Sequence, residues 1–302
     1  STVDIFVDRE KINFFRVTFL MERMCPLATG LGSTFNETYF NEFADAINYI
    51  TDTKGAYALL DPHNYMRYGL HSNAATTDQF KDFWQELAGR FVYNPKVVFG
   101  INNEPHTMVR KLHLILKNDQ AAIDGIRAAG ANQLILAPGN GFTGGHSWTQ
   151  VTGNGDEPSS DLMNQLVDPL NNTAIDIHEV DEDFSGSHDQ CTQPGPSNLA
   201  ALTQWLKDNG LKAMITEFGG GNNEGCFQAV TDLIQYIADN DVYIGWAIWA
   251  AGPIWGTASP CCGADTGSLE PGQVNDQGGP NAFQTVWAQA VRPNIPKRKN
   301  LF

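Results

Sequence analysis

Two glutamates sit where carboxylates can do chemistry. Glu104 lies in Asn103-Glu104-Pro105, just beyond the apolar run Val97-Val-Phe-Gly-Ile101. Glu217 lies in Thr216-Glu217-Phe218-Gly219, just beyond Ala213-Met-Ile215. Each stands where a buried strand would leave the core. Two carboxyl groups flanking a sugar are the machinery of glycoside hydrolysis: one donates a proton to the leaving oxygen, the other attacks the anomeric carbon. That division of labour requires environments that push the two pKa values apart. The rival reading is that such glutamates pair with arginines at a barrel rim.

Neighbouring residues fit the same chemistry. The Asn103 amide could bond a sugar 2-hydroxyl, a contact that strengthens in the transition state. Arg16, read as ending its apolar run, could hold the nucleophile ionised through a charge-assisted hydrogen bond. His63 and His178, at equivalent strand ends, could add hydrogen bonds, although a lone strand-end histidine is more often structural. Trp249 closes the last run, and an indole face stacks on the apolar face of a pyranose. Trp246 is an odd separation away, so on a strand it faces the other side and reads as core. Trp148 and Trp255 fall in loop-like stretches, where lining a subsite and ordinary packing are equally good readings. There is no HExxH and no close His/Asp cluster, so no metal is expected.

The elements that must position these residues are short apolar runs alternating with amphipathic stretches. The runs are Ile12–Leu20, Ala56–Leu60, Lys96–Ile101, Gln133–Ala137, Ala174–Ile177, Leu211–Thr216 and Tyr243–Trp249. They are nearly continuous in apolar residues, as strands buried on both faces of a parallel sheet are. Helical spacing recurs between them. Examples are Phe40, Phe43, Ala44, Ile47 and Ile50, and Phe80, Phe83, Trp84, Leu87 and Phe91 after a capping box at Thr76 and Gln79. Ala121–Gly130, Leu199–Asn209 with Gly210 as its stop, Val230–Ala238 and Phe283–Val291 complete the set. Alternation of this kind means an α/β fold. Polar residues at strand ends (Arg16, His63, Glu104, Asn140, His178 and Glu217) favour a (β/α)8 TIM barrel over a doubly wound sheet. Seven runs are one short of eight, so the first strand is missing or replaced by Val3–Val7.

At 302 residues, 42% hydrophobic and 18% charged, the chain is globular and fits one catalytic domain over 1–302. With 19 basic residues against 34 acidic, the net charge is −15. That balance argues against nucleic acid or an anionic membrane surface as partner and favours a neutral glycan. A monomer is expected. No run of 18 apolar residues suggests a membrane span. Two sequons, at Asn36 and Asn171, permit N-glycosylation.

Several longer stretches carry a resemblance. They are Asn13-Phe-Phe-Arg-Val-Thr-Phe-Leu-Met-Glu-Arg-Met24, Asp61-Pro-His-Asn-Tyr65, Asn103-Glu-Pro-His106, Ile215-Thr-Glu-Phe-Gly-Gly220 and Trp249-Ala-Ala-Gly-Pro253. Asp183-Phe-Ser-Gly-Ser-His188 and Gln204-Trp-Leu-Lys-Asp-Asn209 match as well. With these the chain resembles the secreted fungal endo-β-1,4-glucanases of glycoside hydrolase family 5. The resemblance implies a retaining double displacement, with Glu104 as acid/base, Glu217 as nucleophile and Arg16, His63, Asn103, His178 and Trp249 in support. It further implies cellulose and soluble β-glucans as substrates, no cofactor, an extracellular location and a Cys191–Cys226 disulfide.

The chain departs from that pattern in three places. Ser1–Lys11 resembles the family's first helix, so the strand before that helix is missing, which would expose two sheet edges. The tyrosine that usually follows the strand-six histidine is absent from His178-Glu179-Val180-Asp181, and Glu179 is read as pointing away from the mouth. Cys261 and Cys262 are adjacent, with Cys25 as the remaining candidate partner. Two other readings follow: the same chemistry on β-mannan or mixed-linkage glucan, and a weakened carbohydrate-binding homologue.

Overall fold

The computed structural model describes residues 1–69, 75–107, 112–179, 191, 195–252, 268–274 and 278–295. Seven strands lie in one parallel sheet in chain order: β1 (Phe14–Phe19), β2 (Tyr57–Pro62), β3 (Val97–Gly100), β4 (Ile135–Pro138), β5 (Thr173–His178), β6 (Ala213–Glu217) and β7 (Tyr243–Trp246). All seven match apolar runs in the sequence. Strand order equal to chain order is the winding of a βα barrel.

Side chains alternate across each strand, and the two sets pack separately. Leu59, Val98, Leu136, Ala174 and Met214 form an inner cluster with Phe14 and Leu134 packed against it. The alternate residues, including Ala58, Leu60, Val97, Phe99, Ile135, Ile175 and Ile215, face the helices in the larger core. Two positions further along, the inward residues turn polar: Arg16 on β1, Asp61 on β2, Asp176 on β5 and Thr216 on β6. This polar layer lies between the apolar floor and the mouth.

The helices that cover the strands are α1 (Thr2–Asp4), α2 (Met21–Met24), α3 (Glu37–Asn48), α4 (Thr77–Arg90), α5 (Leu112–Ala128), α6 (Gly195–Asn198), α7 (Ala200–Asn209) and α8 (Glu224–Asp239). Helix α4 begins at the capping box, with Thr76 and Gln79 bonding each other's backbone N–H groups. Helix α7 stops at Gly210, whose φ of 64° suits glycine. Helices α4 and α5 meet closely, and a Cβ on Gly125 would lie 2.4 Å from the Lys81 carbonyl oxygen. Cys191 and Cys226 form the disulfide that the resemblance implied. Cys25 is a buried free thiol, and Cys261 and Cys262 lie outside the described residues.

Val3–Val7 is not a strand. Helix α1 continues as a π-helical turn over Ile5–Arg9, with no strand before it among the described residues. It packs outside the sheet, with Phe6 against Phe283 and Trp287, and Glu10 accepting from Trp287 Nε1 and from Arg292. No strand joins β1 to β7 among the described residues, so both are sheet edges. Exposure follows from this. Strands β3, β4 and β6 are buried throughout, whereas Thr18 and Ile244 on the two edges are exposed. The gap is a cavity of about 860 Å³ lined by Phe6, Phe14, Met214, Ile244 and Trp246, among others. Only its upper end, at Arg16 and Trp249, reaches the glutamates' mouth.

Candidate active site

The two glutamates arrive by different routes. Glu217 is the last residue of β6 and is buried. Glu104 lies four residues beyond β3, in a turn where its φ is 40°, a left-handed conformation that costs a non-glycine residue about 1–3 kcal/mol. Such strain persists only where the surroundings enforce it. Here Asn103 N–H donates to the Pro62 carbonyl at 2.9 Å and Asn102 Oδ1 accepts from Met66 N–H, tying the β3 turn to the β2 turn.

His178, the last residue of β5, bridges the pair. Its Nδ1 lies 2.7 Å from Glu104 Oε1 and 3.6 Å from Glu217 Oε2. One carboxylate oxygen from each glutamate and a His178 ring nitrogen all fall within 4.8 Å of one another. Three such donors could embrace a cation, but Arg16 already occupies Glu217, with Nη1 2.5 Å from Oε2.

Arg16 is the hub of the polar layer. It donates to Glu217, to Asn103 Oδ1 and to Asp61 Oδ2, the last at 2.9 Å. It does not end its strand: β1 runs on to Phe19, and Arg16 is an inward residue in mid-strand. Its long side chain reaches the mouth from that depth. Asp61 also meets His63 Nδ1 at 3.0 Å, and His63 Nε2 lies 3.3 Å from Asn103 Nδ2.

Burial and charge separate these groups. Burial raises the Glu104 pKa, and Arg16 and His63 offset this only in part. Asp61 is fully buried, which alone would raise its pKa, yet the Arg16 guanidinium and His63 hold it below the ordinary value. Burial also lowers the His178 pKa, favouring the neutral imidazole. Glu104 is thus inclined to keep its proton, beside a glutamate pinned by an arginine.

Aromatic rings continue the mouth. Trp249 stacks on His63 with ring centres 5.4 Å apart and lies over the Arg16 guanidinium. Strand β7 ends at Trp246, so alternation along a strand does not govern Trp249; Trp246 packs on the core edge-on to Phe218. Tyr65 meets His63 and His106, and His106 stacks on the exposed ring of Phe142 at 4.1 Å. Tyr65, His106 and Phe142 were not among the residues singled out from sequence; both turns that hold Tyr65 and Phe142 use positive φ, which leaves no periodic signal. Asp61 was missed as well, although it shares the inward parity of Leu59.

Not every candidate converges on the mouth. Trp148 is no subsite residue: it is fully buried, packed against Trp205, with Gly139 at its ring edge. Trp255 lies outside the described residues, as do residues 180–190, which follow His178-Glu179. Glu179 turns aside, accepting from His146 N–H at 3.1 Å. Asn140, after β4, is buried with neither amide atom bonded to a protein group.

Comparison with known proteins agrees with this geometry. The family pattern Cellulase (glycosyl hydrolase family 5) matches residues 1–253. Endoglucanase 1 of Robillarda sp. is 56% identical, over 98% of this chain and 80% of its own length. An endo-β-1,4-glucanase of Xanthomonas axonopodis pv. citri superposes with a TM-score of 0.82 at 30% identity, over 97% of this chain and 90% of that one. XacCel5A, solved in complex with cellopentaose, gives 0.81 at 28%, over 95% and 87%. These barrels identify the open seven-stranded sheet as a TIM-barrel relative. With a family match across most of its length, a barrel mouth holding two glutamates and relatives that are endoglucanases, the chain belongs to glycoside hydrolase family 5, the cellulases.

Proposed function

We propose that this glycoside hydrolase is an endo-β-1,4-glucanase that cleaves internal bonds of cellulose and soluble β-glucans with retention of configuration. Glu217 attacks the anomeric carbon while Glu104 protonates the leaving oxygen; Glu104 then takes a proton from the water that releases the sugar. The observation that carries this reading is the separation within 4.8 Å of a Glu104 and a Glu217 oxygen. Retaining enzymes hold their carboxyl groups about 5–5.5 Å apart, whereas inverting ones need roughly 6.5–9.5 Å to admit a water.

The supporting residues take roles their contacts suit. Arg16 holds Glu217 aimed through a buried ion pair. His178, neutral, hands its hydrogen bond between the carboxyls as charge moves. Asn103 faces the 2-hydroxyl, and Trp249 stacks on the sugar at the cleavage point. The cellopentaose bound by XacCel5A and the names of the relatives support a β-1,4-glucan as the ligand. Nothing in the site or among the relatives favours β-mannan, mixed-linkage glucan or a binding-only role. No helix among the described residues is long and apolar enough to cross a membrane. The disulfide suits an oxidising compartment, and both sequon asparagines are exposed, so the proposal extends to a secreted, glycosylated monomer with one catalytic domain.

The test is release of reducing ends from carboxymethylcellulose by the wild type and by Glu217→Gln. Activity in the first and none in the second is expected. Full activity in the variant overturns the assignment.

A further inference from the structure

Asp61 is a buried charge to which the catalytic reading gives no task. Asp61 points inward from β2 beneath the mouth, 2% exposed, and touches neither glutamate. Its Oδ2 is shared between Arg16 Nη2 at 2.9 Å and His63 Nδ1 at 3.0 Å. We infer that Asp61 is a positioning residue that fixes the tautomer of His63 and, through it, makes Asn103 a hydrogen-bond donor to the sugar 2-hydroxyl; this rests on the proposed glucanase reading.

The chain of contacts allows one proton arrangement. An ionised carboxylate only accepts, so His63 must carry its proton on Nδ1. In the neutral ring Nε2 is then an acceptor, and the atom facing it at 3.3 Å must donate. That atom is Asn103 Nδ2. The other side of the amide agrees, because a guanidinium only donates and Arg16 bonds Asn103 Oδ1. With Oδ1 occupied by Arg16 and one Nδ2 hydrogen on His63, the second Nδ2 hydrogen is the one left for a ligand. The 2-hydroxyl therefore accepts from Asn103. As positive charge grows at the neighbouring anomeric carbon the 2-hydroxyl acidifies and its own O–H donates more strongly to a carboxylate; the Asn103 N–H, held on the oxygen, fixes the orientation from which it does so. Without the Asp61 charge, His63 can move its proton to Nε2, and an N–H then opposes the Asn103 NH₂.

Two readouts test this on the intact protein. Long-range ¹H–¹⁵N NMR of the imidazoles reports the His63 tautomer without any variant or turnover. The Nδ1–H form is expected in the wild type, and the Nε2–H form overturns the inference outright. The second readout compares kcat/KM on an aryl β-cellobioside with its analogue lacking the 2-hydroxyl beside the scissile bond. The wild type is expected to favour the parent by about a hundredfold or more. Asp61→Asn is expected to shrink that ratio about tenfold, and His63→Ala, which needs no buried substitution, to do the same. Adding Asp61→Asn to His63→Ala should then change the ratio little, because both act through one contact. A ratio that stays at the wild-type value while both substrates slow equally means a merely structural role and overturns the inference. Failure of the glucanase reading is visible separately, as turnover that survives Glu217→Gln.

Discussion

Replacing Arg16 with methionine removes the cation whose pKa three nearby carboxylates, Asp61, Glu217 and Asp176, raise against the effect of burial. The side chain is 4% exposed, and its partners Asp61 and Glu217 are 3% and 5% exposed. Water cannot take the place of the guanidinium. Breaking a buried pair from one side strands a charge and costs about 3–5 kcal/mol. At roughly 2–4 °C per kcal/mol for a domain of this order, Tm falls on the order of 10 °C. The loss has a pH signature. In the wild type the folded-state pKa of Asp61 is depressed, so its contribution is present above the unfolded value and disappears as pH falls through the folded one. In the variant only His63 and His178 still oppose burial, so that pKa rises and protonation on acidification relieves the stranded charge. The stability gap is therefore widest near pH 7 and narrows towards pH 4. Urea denaturation of both proteins across that range measures it. A gap below about 1 kcal/mol, or one that does not change with pH, refutes the reasoning.

Three further outcomes follow from the same geometry. Because burial raises the Glu104 pKa, kcat/KM should fall on the alkaline side with an apparent pKa above the ordinary carboxylate range, and Glu104→Gln should lose that limb while slowing poor leaving groups by about 10²–10⁴-fold; a pH–rate profile on two aryl cellobiosides checks both. Trp148→Ala should cost about 3–5 kcal/mol in chemical denaturation with KM for cello-oligosaccharides unchanged, since the ring is core and not cleft. Ile244→Lys places a charge on the exposed β7 edge and should slow aggregation of the open barrel on heating, as read by light scattering.

The strands were legible because a parallel sheet covered on both faces leaves continuous apolar runs, and each run from Ile12–Leu20 to Tyr243–Trp249 overlaps one. Glu217 and His178 were legible for the same reason, as the first polar residues where those runs end. Arg16 was placed too high because its run is apolar on both sides; only the outcome that Phe14 and Arg16 share the inner face shows it as mid-strand. Parity did carry more than was taken from it: Leu59 inward implies Asp61 inward, directly under His63. Trp148 was left open between subsite and packing; the turn-rich stretch around Gly144–Gly145 folds down onto α7 and decides it as packing. Phe142 and Tyr65 depend on left-handed turns, whose direction no local pattern encodes. The role of Val3–Val7 was a choice between strand and helix for a short apolar stretch; the Ser1–Asp4 capping box and the packing of Phe6 on Trp287 decide it as helix.

The central claim is that two glutamates act in turn on one anomeric carbon. ¹H NMR of the first product released from cellopentaose, read before mutarotation, tests it directly. The β-anomer appearing first is the predicted result, since two displacements restore the starting configuration. The α-anomer appearing first would mean a single displacement by water and would contradict the account.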